Sequence, residues 1–328
     1  MTVDDTNASA RDVGRNVFVV GAKRSGTTWT CSLLANHPHV VGVLHTHLIT
    51  RFKELGAWWE GSNSYWDRII GCNDDQGRLR DFLSESEFFA SCRKTADVVL
   101  DKAFLSKPDA KLLVESQPEN IDLLPLLSKL YPDASVVHVI RDPRSVFASW
   151  KSAGKTWSSS SNFSPNPVQF CDEWRRQIIA ARSLANEGKI RYFEFSYEDM
   201  KSDGVRKLSE IHHWLGVDAD PAIAKKSIAA CEIEKLRNKS IMPQGFFRKG
   251  KTSGWRSELS NSEVHTVEFM LSDFMDEIGY ERVNEGEIRK PGRLVRYEIK
   301  RAFLRLLSWA IPASVKRFLK RIYAGSKQ

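Results

Sequence analysis

The chain has 328 residues, 41% of them hydrophobic and 27% charged, a composition typical of a globular protein with a sizeable core. It contains no run near the ~20 apolar residues of a membrane-spanning helix, and its polar start, MTVDDTNASARD, lacks the apolar core of a secretory signal peptide. The five scattered cysteines include no C-x-x-C pair, so neither a zinc site nor a disulfide framework is indicated, and a cytoplasmic location is expected.

The net charge of +8 is unevenly distributed along the chain. Residues 289–328 contain twelve Lys and Arg and one acidic residue, Glu298, for a net charge of +11, which leaves −3 for the rest. The basicity therefore belongs to a C-terminal tail and not to the whole surface. The predicted organisation is a disordered N-terminus at 1–15, a main domain at 16–288 and this basic helical tail at 289–328.

Short apolar runs alternate with helical patterns through the main domain. Strands are predicted at 16–20, 97–100, 111–114, 135–140 and 191–195, and helices at 28–35, 121–130 and 167–185. Such alternation predicts an α/β fold in which a central parallel sheet is wrapped by helices. Residues 51–95 are predicted to form a helical insertion or lid, and 158–167 a loop.

The segment GAKRSGTTW, residues 21–29, lies between the first strand and the first helix. That setting is typical of a phosphate-binding loop, and Gly21 and Gly26 have the spacing of the pattern G-x-x-x-x-G-K-[ST]. Thr27 stands where the nucleoside-triphosphate lysine belongs, and basic residues occur earlier, at Lys23 and Arg24. The loop therefore predicts an anionic ligand other than a magnesium-bound triphosphate.

Two further segments carry groups suited to anions. In VVHVIRDPRSVFASW, residues 136–150, Arg141 leaves the end of a buried strand, where open α/β sheets bind ligands, and Ser149 follows about two helical turns later. A guanidinium at such an edge suits a phosphate, although a surface arginine beside Asp142 is an equal alternative. In FFRKGKTSGW, residues 246–255, Arg248, Lys249 and Gly250 together form a basic loop that is a weak signal alone.

Taken together, the three segments resemble the sulfotransferases that use 3'-phosphoadenosine 5'-phosphosulfate (PAPS). That resemblance implies a P-loop NTPase-like fold, a PAPS donor without metal and a hydroxyl-bearing acceptor, either a carbohydrate or a lipid-linked or small molecule. It also implies the residues that hold the donor, with Arg24 acting in catalysis: Arg24, Ser25, Gly26, Thr27, Thr28, Trp29, Arg141, Ser149, Tyr197, Arg248, Lys249 and Gly250. Ser253 and Gly254 depart from the family's pattern in the last loop.

The general base of the reaction is left open by the sequence. The family's K-T-H-L-P histidine has no counterpart in VESQP, residues 114–118, where Glu115 is the nearest acidic group. In the tyrosylprotein branch the base is a glutamate shortly after an H-P-D-V segment, and His45 aligns on or beside that position. Imidazole titrates near neutral pH and suits the role. His45 is the first candidate and Glu115 the second, ahead of His47, whereas His138 inside a strand is expected to be a core residue.

Alternatives of other classes are a P-loop kinase or NTPase and a non-catalytic, membrane-associated nucleotide-binding protein. The tail adds a second open question. Val295, Ile299 and Phe303 lie on an apolar stripe with basic residues largely elsewhere, and Trp309 marks one end, a pattern typical of a helix at an anionic membrane interface. A helix packed on the main domain is an equal alternative, and nucleic acid is not expected as a partner.

Overall fold

The structure of the protein is a computed structural model. It describes residues 14–59, 84–156, 166–232 and 252–283, together with single positions at 235, 291, 292, 294, 295 and 297. Residues 1–13 of the N-terminal segment predicted at 1–15, residues 158–165 of the loop predicted at 158–167, residues 248–250 and most of the tail lie outside the described residues, so these predictions stay predictions.

The strands and helices follow one another in α/β order. Five strands are formed by β1 (Asn16–Val20), β2 (Val40–Leu44), β3 (Leu112–Ser116), β4 (Ser135–Ile140) and β5 (Arg191–Ser196). The helices are α1 (Thr27–Ala35), α2 (Leu48–Trp59), α3 (Glu85–Leu100), α4 (Leu124–Leu130), α5 (Pro143–Thr156), α6 (Pro167–Asn186), α7 (Tyr197–Ser202), α8 (Gly204–Trp214), α9 (Pro221–Ala230), α10 (Trp255–Glu258), α11 (Asn261–Met270) and α12 (Ser272–Ile278). Two 3₁₀ helices, Asp101–Ser106 and Pro118–Leu123, flank β3.

The five strands form one sheet in the order β2-β3-β1-β4-β5. Every pair is parallel, with Val17 of β1 opposite Val114 on one side and Ser135 on the other. All carboxyl ends therefore meet at one edge, with β2 and β3 on one side of β1 and β4 and β5 on the other. The predicted α/β fold with a central parallel sheet is confirmed.

Both faces of the sheet are covered, because side chains alternate along each strand. Val17 and Val19 of β1 pack with Leu33 of α1 on one face. Phe18 and Val20 belong to the core on the other face. A third core, formed by Phe147, Phe170 and Trp174 among others, holds α5 and α6 against α11 and α12. This third core fixes α5 at the carboxyl edge of β4.

The strand predicted at 97–100 is wrong, because these residues end helix α3. The helix begins at Glu85, after the N-cap Ser84, whose side chain forms a capping box with Glu87. Its buried residues recur every three or four positions, at Phe88, Phe89, Cys92, Ala96 and Leu100, whereas Val98 and Val99 are exposed. The helical spacing of the buried side chains therefore outweighs the strand preference of the β-branched pair Val98 and Val99.

Strand β2 was not predicted from the sequence. It contains Gly42, and a Cβ atom there would lie 2.4 Å from the Cβ of Ala35. The glycine thus permits α1 to cross close to the edge strand, but it also interrupts the apolar run that a strand prediction relies on. The predicted helix at 121–130 is divided between the 3₁₀ helix Pro118–Leu123 and α4. Within the described residues no helix is both long and apolar enough to cross a membrane.

Candidate active site

The loop of residues 21–26 connects β1 to α1 at the carboxyl edge of the sheet, and it is called the phosphate loop below. Gly26 has φ 107°, and a Cβ there would lie 2.7 Å from the ring of Tyr197. A Cβ on Gly21 would lie 2.5 Å from the carbonyl oxygen of Val139. Both positions require glycine, because neighbouring atoms already occupy the space of a side chain.

Polar groups at the start of α1 are oriented for an anion. The N-cap, Gly26, provides no side-chain cap, so the first amides of the nine-residue helix stay available. Ser25, Thr27 and Thr28 are buried around them, and the Ser25 hydroxyl has no hydrogen-bond partner within the described residues. Leaving a buried hydroxyl unpaired costs ~1–3 kcal/mol, so an oxyanion bound here would offset that cost.

On the β4 side, three elements bring the predicted donor residues together. Arg24 Nε donates to Ser149 Oγ at 3.1 Å. Arg141 Nη1 donates to the carbonyl oxygen of Arg24 at 3.2 Å, and its guanidinium lies 4.3 Å from the centroid of the Tyr197 ring. Arg141, Ser149 and Tyr197, called the donor side below, thus form one cationic cluster with the phosphate loop.

Trp29 and Tyr197, the residues nominated for the nucleotide base, are neighbours. Their ring centroids are 5.3 Å apart in an edge-on arrangement. Trp29 Nε1 donates to the carbonyl oxygen of Cys231 at 3.0 Å, and Lys201 Nζ lies 5.1 Å from the Trp29 ring. The indole is therefore held in place beside the loop by its polar edge.

Helix α5 also holds the chain that follows the predicted loop 248–250. Ser145 Oγ donates to the carbonyl oxygen of Thr252 at 2.8 Å. The Arg144 guanidinium lies 4.1 Å from the Trp255 ring and pairs with Asp142 and Glu268. Sequence reasoning missed Arg144 and Ser145, although the spacing of four residues from Ser145 to Ser149 places these two serines on one face of α5.

On the other side of the loop, Glu115 is buried near the end of β3. Thr46 Oγ1 donates to its Oε1 at 2.8 Å, and Asn120 Nδ2 donates to its Oε2 at 2.6 Å. Burial raises the pKa of Glu115 to about 7, although both hydrogen bonds favour the charged form. The carboxyl group is thus poised near neutral pH, but both oxygens are already engaged.

His45 and His47 follow β2 on this same side, both with left-handed backbone, at φ 54° and 53°. The His45 amide donates to the carbonyl oxygen of Ser116, which ties the turn to β3. Burial, and then the neighbouring His47, lower the pKa of His45 below its ordinary value. Its ring is therefore neutral at pH 7 and able to accept a proton. His45, Glu115 and the neighbouring Glu119 are called the acceptor side below.

His138 does not belong to the site. Its ring is buried in β4, Nδ1 lies 2.6 Å from the hydroxyl of Tyr192, and burial lowers its pKa to about 4. The expected core role is confirmed. Across the described ranges, no group of three or more His, Cys, Asp and Glu side chains could hold a metal ion.

Comparison with known proteins gives one consistent description. A sequence model described as the sulfotransferase family matches residues 16–221. The chain is 23% identical over 313 residues to the nodulation protein NoeE of Sinorhizobium fredii, which covers 87% of this chain and 72% of that protein. It is 22% identical over 288 residues to protein-tyrosine sulfotransferase A of Caenorhabditis elegans, which covers 85% of this chain and 71% of that protein.

Solved structures that resemble the chain include the sulfotransferase domain from the curacin biosynthetic pathway. That domain has 14% identity and a TM-score of 0.49, over 81% of this chain and 97% of the domain. Mouse sulfotransferase SULT7A1, solved in complex with PAP, has 14% identity and a TM-score of 0.46, over 87% of this chain and 88% of its own.

Proposed function

Because the chain belongs to the sulfotransferase family, we propose that it transfers the sulfuryl group of PAPS to a hydroxyl of a carbohydrate or of a lipid-linked or small-molecule acceptor. One observation carries the proposal: Arg24, in the loop that leads into the open amino end of α1, bonds to both Arg141 and Ser149. Two adjacent anion sites are what a nucleotide with a 5'-phosphosulfate and a 3'-phosphate requires.

In this proposal the donor is held by three groups of residues. The amides of the phosphate loop and the hydroxyls of Ser25, Thr27 and Thr28 bind the 5'-phosphosulfate. Arg141 and Ser149 bind the 3'-phosphate, and residues 248–250 close over it. Trp29 and Tyr197 contact the adenine. The unpaired Ser25 hydroxyl and the uncapped amino end of α1 fit a phosphate at this place.

The proposed reaction is a direct displacement at sulfur. The acceptor oxygen forms a bond to sulfur, the bond from sulfur to the 5'-phosphate oxygen breaks, and the electron pair stays on the phosphate. His45 takes the proton of the hydroxyl group, because its ring is neutral at pH 7. Arg24 stabilises the charge that accumulates on the leaving phosphate. Glu115 is the second candidate base, and its hydrogen bond from Thr46 also holds the turn that carries His45.

A sulfuryl donor needs neither the lysine that Thr27 replaces nor a metal to bridge β- and γ-phosphates. The family match favours this transferase over the kinase and the non-catalytic alternatives. For the acceptor, support comes from the names of relatives. Carbohydrate sulfotransferase 1 of Danio rerio is 21% identical over 194 residues, which cover 52% of this chain and 44% of that protein.

The decisive experiment measures binding of adenosine 3',5'-bisphosphate (PAP) and of 5'-AMP by calorimetry, with and without Mg²⁺. PAP should bind more tightly than 5'-AMP, and the metal should make no difference. Arg141→Ala should weaken the binding of PAP by ~1–3 kcal/mol but leave the binding of 5'-AMP unchanged, because only PAP has a 3'-phosphate. Equal affinities for the two nucleotides would contradict the assignment of Arg141 and Ser149. Transfer of labelled sulfate to glycans, lipids and phenols then identifies the acceptor class.

We also propose that the tail binds an anionic membrane surface, so that the protein is cytoplasmic and peripheral on the inner face of a membrane. The support is the charge of +11 over residues 289–328. At the start of the tail, however, Leu294 is buried whereas Val295, on the apolar stripe, is 39% exposed, so the tail begins packed against the protein through Leu294 and not through the stripe. Deleting residues 298–328 should abolish binding to anionic vesicles and spare transfer to a soluble acceptor, whereas an insoluble or inactive product would favour a packed helix.

A further inference from the structure

Lys23 and Arg24, adjacent in the phosphate loop, extend to opposite sides of it. Arg24 has left-handed backbone, with φ 75°, and its Nε bonds to Ser149 on the donor side. Lys23 Nζ lies 3.3 Å from Glu119 Oε1, on the chain that follows β3. The loop therefore presents one cation toward the donor side and a second cation toward the acceptor side.

The position of Lys23 is fixed by its backbone, while its side chain keeps an exchangeable partner. The buried Trp150 donates from Nε1 to the carbonyl oxygen of Lys23 at 2.6 Å. The side chains of Lys23 and Glu119 are 23% and 37% exposed. An ion pair this open to water contributes little to stability, so the ammonium can exchange Glu119 for another anion at low cost.

The order of the strands determines where the sulfuryl group lies. The 5'-phosphate belongs at the amino end of α1, after β1, and the 3'-phosphate belongs beside Arg141, after β4. The candidate bases His45 and Glu115 lie after β2 and within β3, on the other side of β1. Because the acceptor oxygen must approach from that side, the sulfuryl group lies between the loop and the end of β3, which is where Lys23 meets Glu119.

We propose that Lys23 binds the non-bridging oxygens of the donor's sulfuryl group, leaving Glu119 when the donor enters; this rests on the proposed function. A compact ammonium with three donors suits oxygens that change geometry during transfer. Arg24 serves the leaving phosphate, and Lys23 serves the group that moves. Lys23 also shields that group from acidic neighbours, since Glu119 and Glu173 both lie within the range of its charge.

The test compares PAPS with PAP, which lacks only the sulfuryl group, in equilibrium binding without acceptor. In Lys23→Gln we expect the affinity for PAPS to fall roughly tenfold or more, as for a lost charge-assisted hydrogen bond, while the affinity for PAP changes little. Lys23→Arg should retain most of the PAPS affinity. The double variant Lys23→Gln/Glu119→Gln should stay weak for PAPS, because removing the carboxylate does not restore the contact.

The control variant is Lys129→Gln, which removes one positive charge from an ion pair elsewhere in the molecule. Lys129 pairs with Glu85 at 2.9 Å and lies at the end of α4, toward the opposite edge of the sheet, so this variant should bind both nucleotides normally. Equal weakening of PAP and PAPS in Lys23→Gln would overturn the proposal, as would recovery of PAPS binding in the double variant, which would indicate repulsion by Glu119. A rise in acceptor KM alone would place Lys23 in acceptor binding. A wild-type protein that binds neither nucleotide would instead overturn the proposed function.

Discussion

The donor side and the acceptor side differ in the kind of group that determines their geometry. Around the donor side, backbone atoms set the geometry, since Gly21 and Gly26 leave no room for a side chain and Arg141 bonds to a carbonyl oxygen of the loop. On the acceptor side, single side chains from separate segments meet, with His45 from the turn after β2 and Glu115 from β3. A loop that binds a ligand through its backbone can be formed by few sequences. A general base, by contrast, requires only one proton-accepting atom in the right position.

This difference explains why the donor motifs were recognisable and the base was ambiguous. A loop that binds through its backbone requires glycines at fixed spacing followed at once by a helix, so its sequence is constrained over nine consecutive residues. A base at the end of β2 or of β3 reaches the same space, because these strands are neighbours. The following experiments address each side of the site in turn.

The largest effect is expected from His45→Ala. Turnover should fall by ~10²–10⁴, as when a general base is removed, while PAP affinity stays nearly unchanged. His39→Ala is the matched control, since His39 precedes β2 at the opposite edge of the sheet. If His45→Ala stays active and Glu115→Ala does not, the base is the carboxylate.

The pH dependence of kcat/KM separates the same two candidates. A base works in its deprotonated form, so the rate should rise with pH through the pKa of the group that acts. For His45 the rise should be centred at a pH below the ordinary imidazole value, because burial lowers its pKa. For Glu115 it should be centred near pH 7. A profile measured in wild type and in His45→Ala decides between them.

Arg24→Ala should come next in size and should divide binding from chemistry. Its charge matters most as the bridging bond breaks, so kcat should fall by roughly 10²–10³, as for loss of one transition-state donor, with a smaller change in donor Kd. Arg24→Lys should recover much of the rate. If instead only the donor Kd changes, the bond from Arg24 to Ser149 marks a binding residue.

A smaller effect is expected from Ser145→Ala, which releases Thr252 from helix α5. Loss of one neutral hydrogen bond corresponds to ~0.5–1.5 kcal/mol, so PAP affinity should fall by a few-fold. Ser128→Ala provides a control, because Ser128 makes a similar bond to the carbonyl oxygen of Pro125 on α4. If both variants have the same thermal stability but only Ser145→Ala loses PAP affinity, Ser145 positions the chain at Thr252 and the predicted loop that precedes it.

Much of the fold was predictable because the central strands are continuous apolar runs, as in β1 and β4, and the sulfotransferase family was predicted correctly from the three motifs. The prediction of secondary structure failed at 97–100, where a β-branched pair suggested a strand but the buried side chains follow a helical period. It also failed at β2, where Gly42 interrupts the apolar run. Within the site, pairs such as Lys23 with Glu119 or Thr46 with Glu115 join residues far apart in the chain. Such contacts depend on strand order and register, which local patterns do not encode.

The cluster around Arg144 has a consequence for synthesis of the protein on the ribosome. This buried guanidinium bonds to Glu268 and to the carbonyl oxygen of Glu281, 137 positions later in the chain. At ~5–20 residues per second, on the order of 10 s pass between translation of the arginine and of its last partner. Of its two carboxylate partners, only Asp142 is present until Glu268 is translated. A nascent chain therefore completes this cluster, which packs on Trp255, only after residue 281 has been synthesised, so the helix that follows β4 lacks part of its support until then.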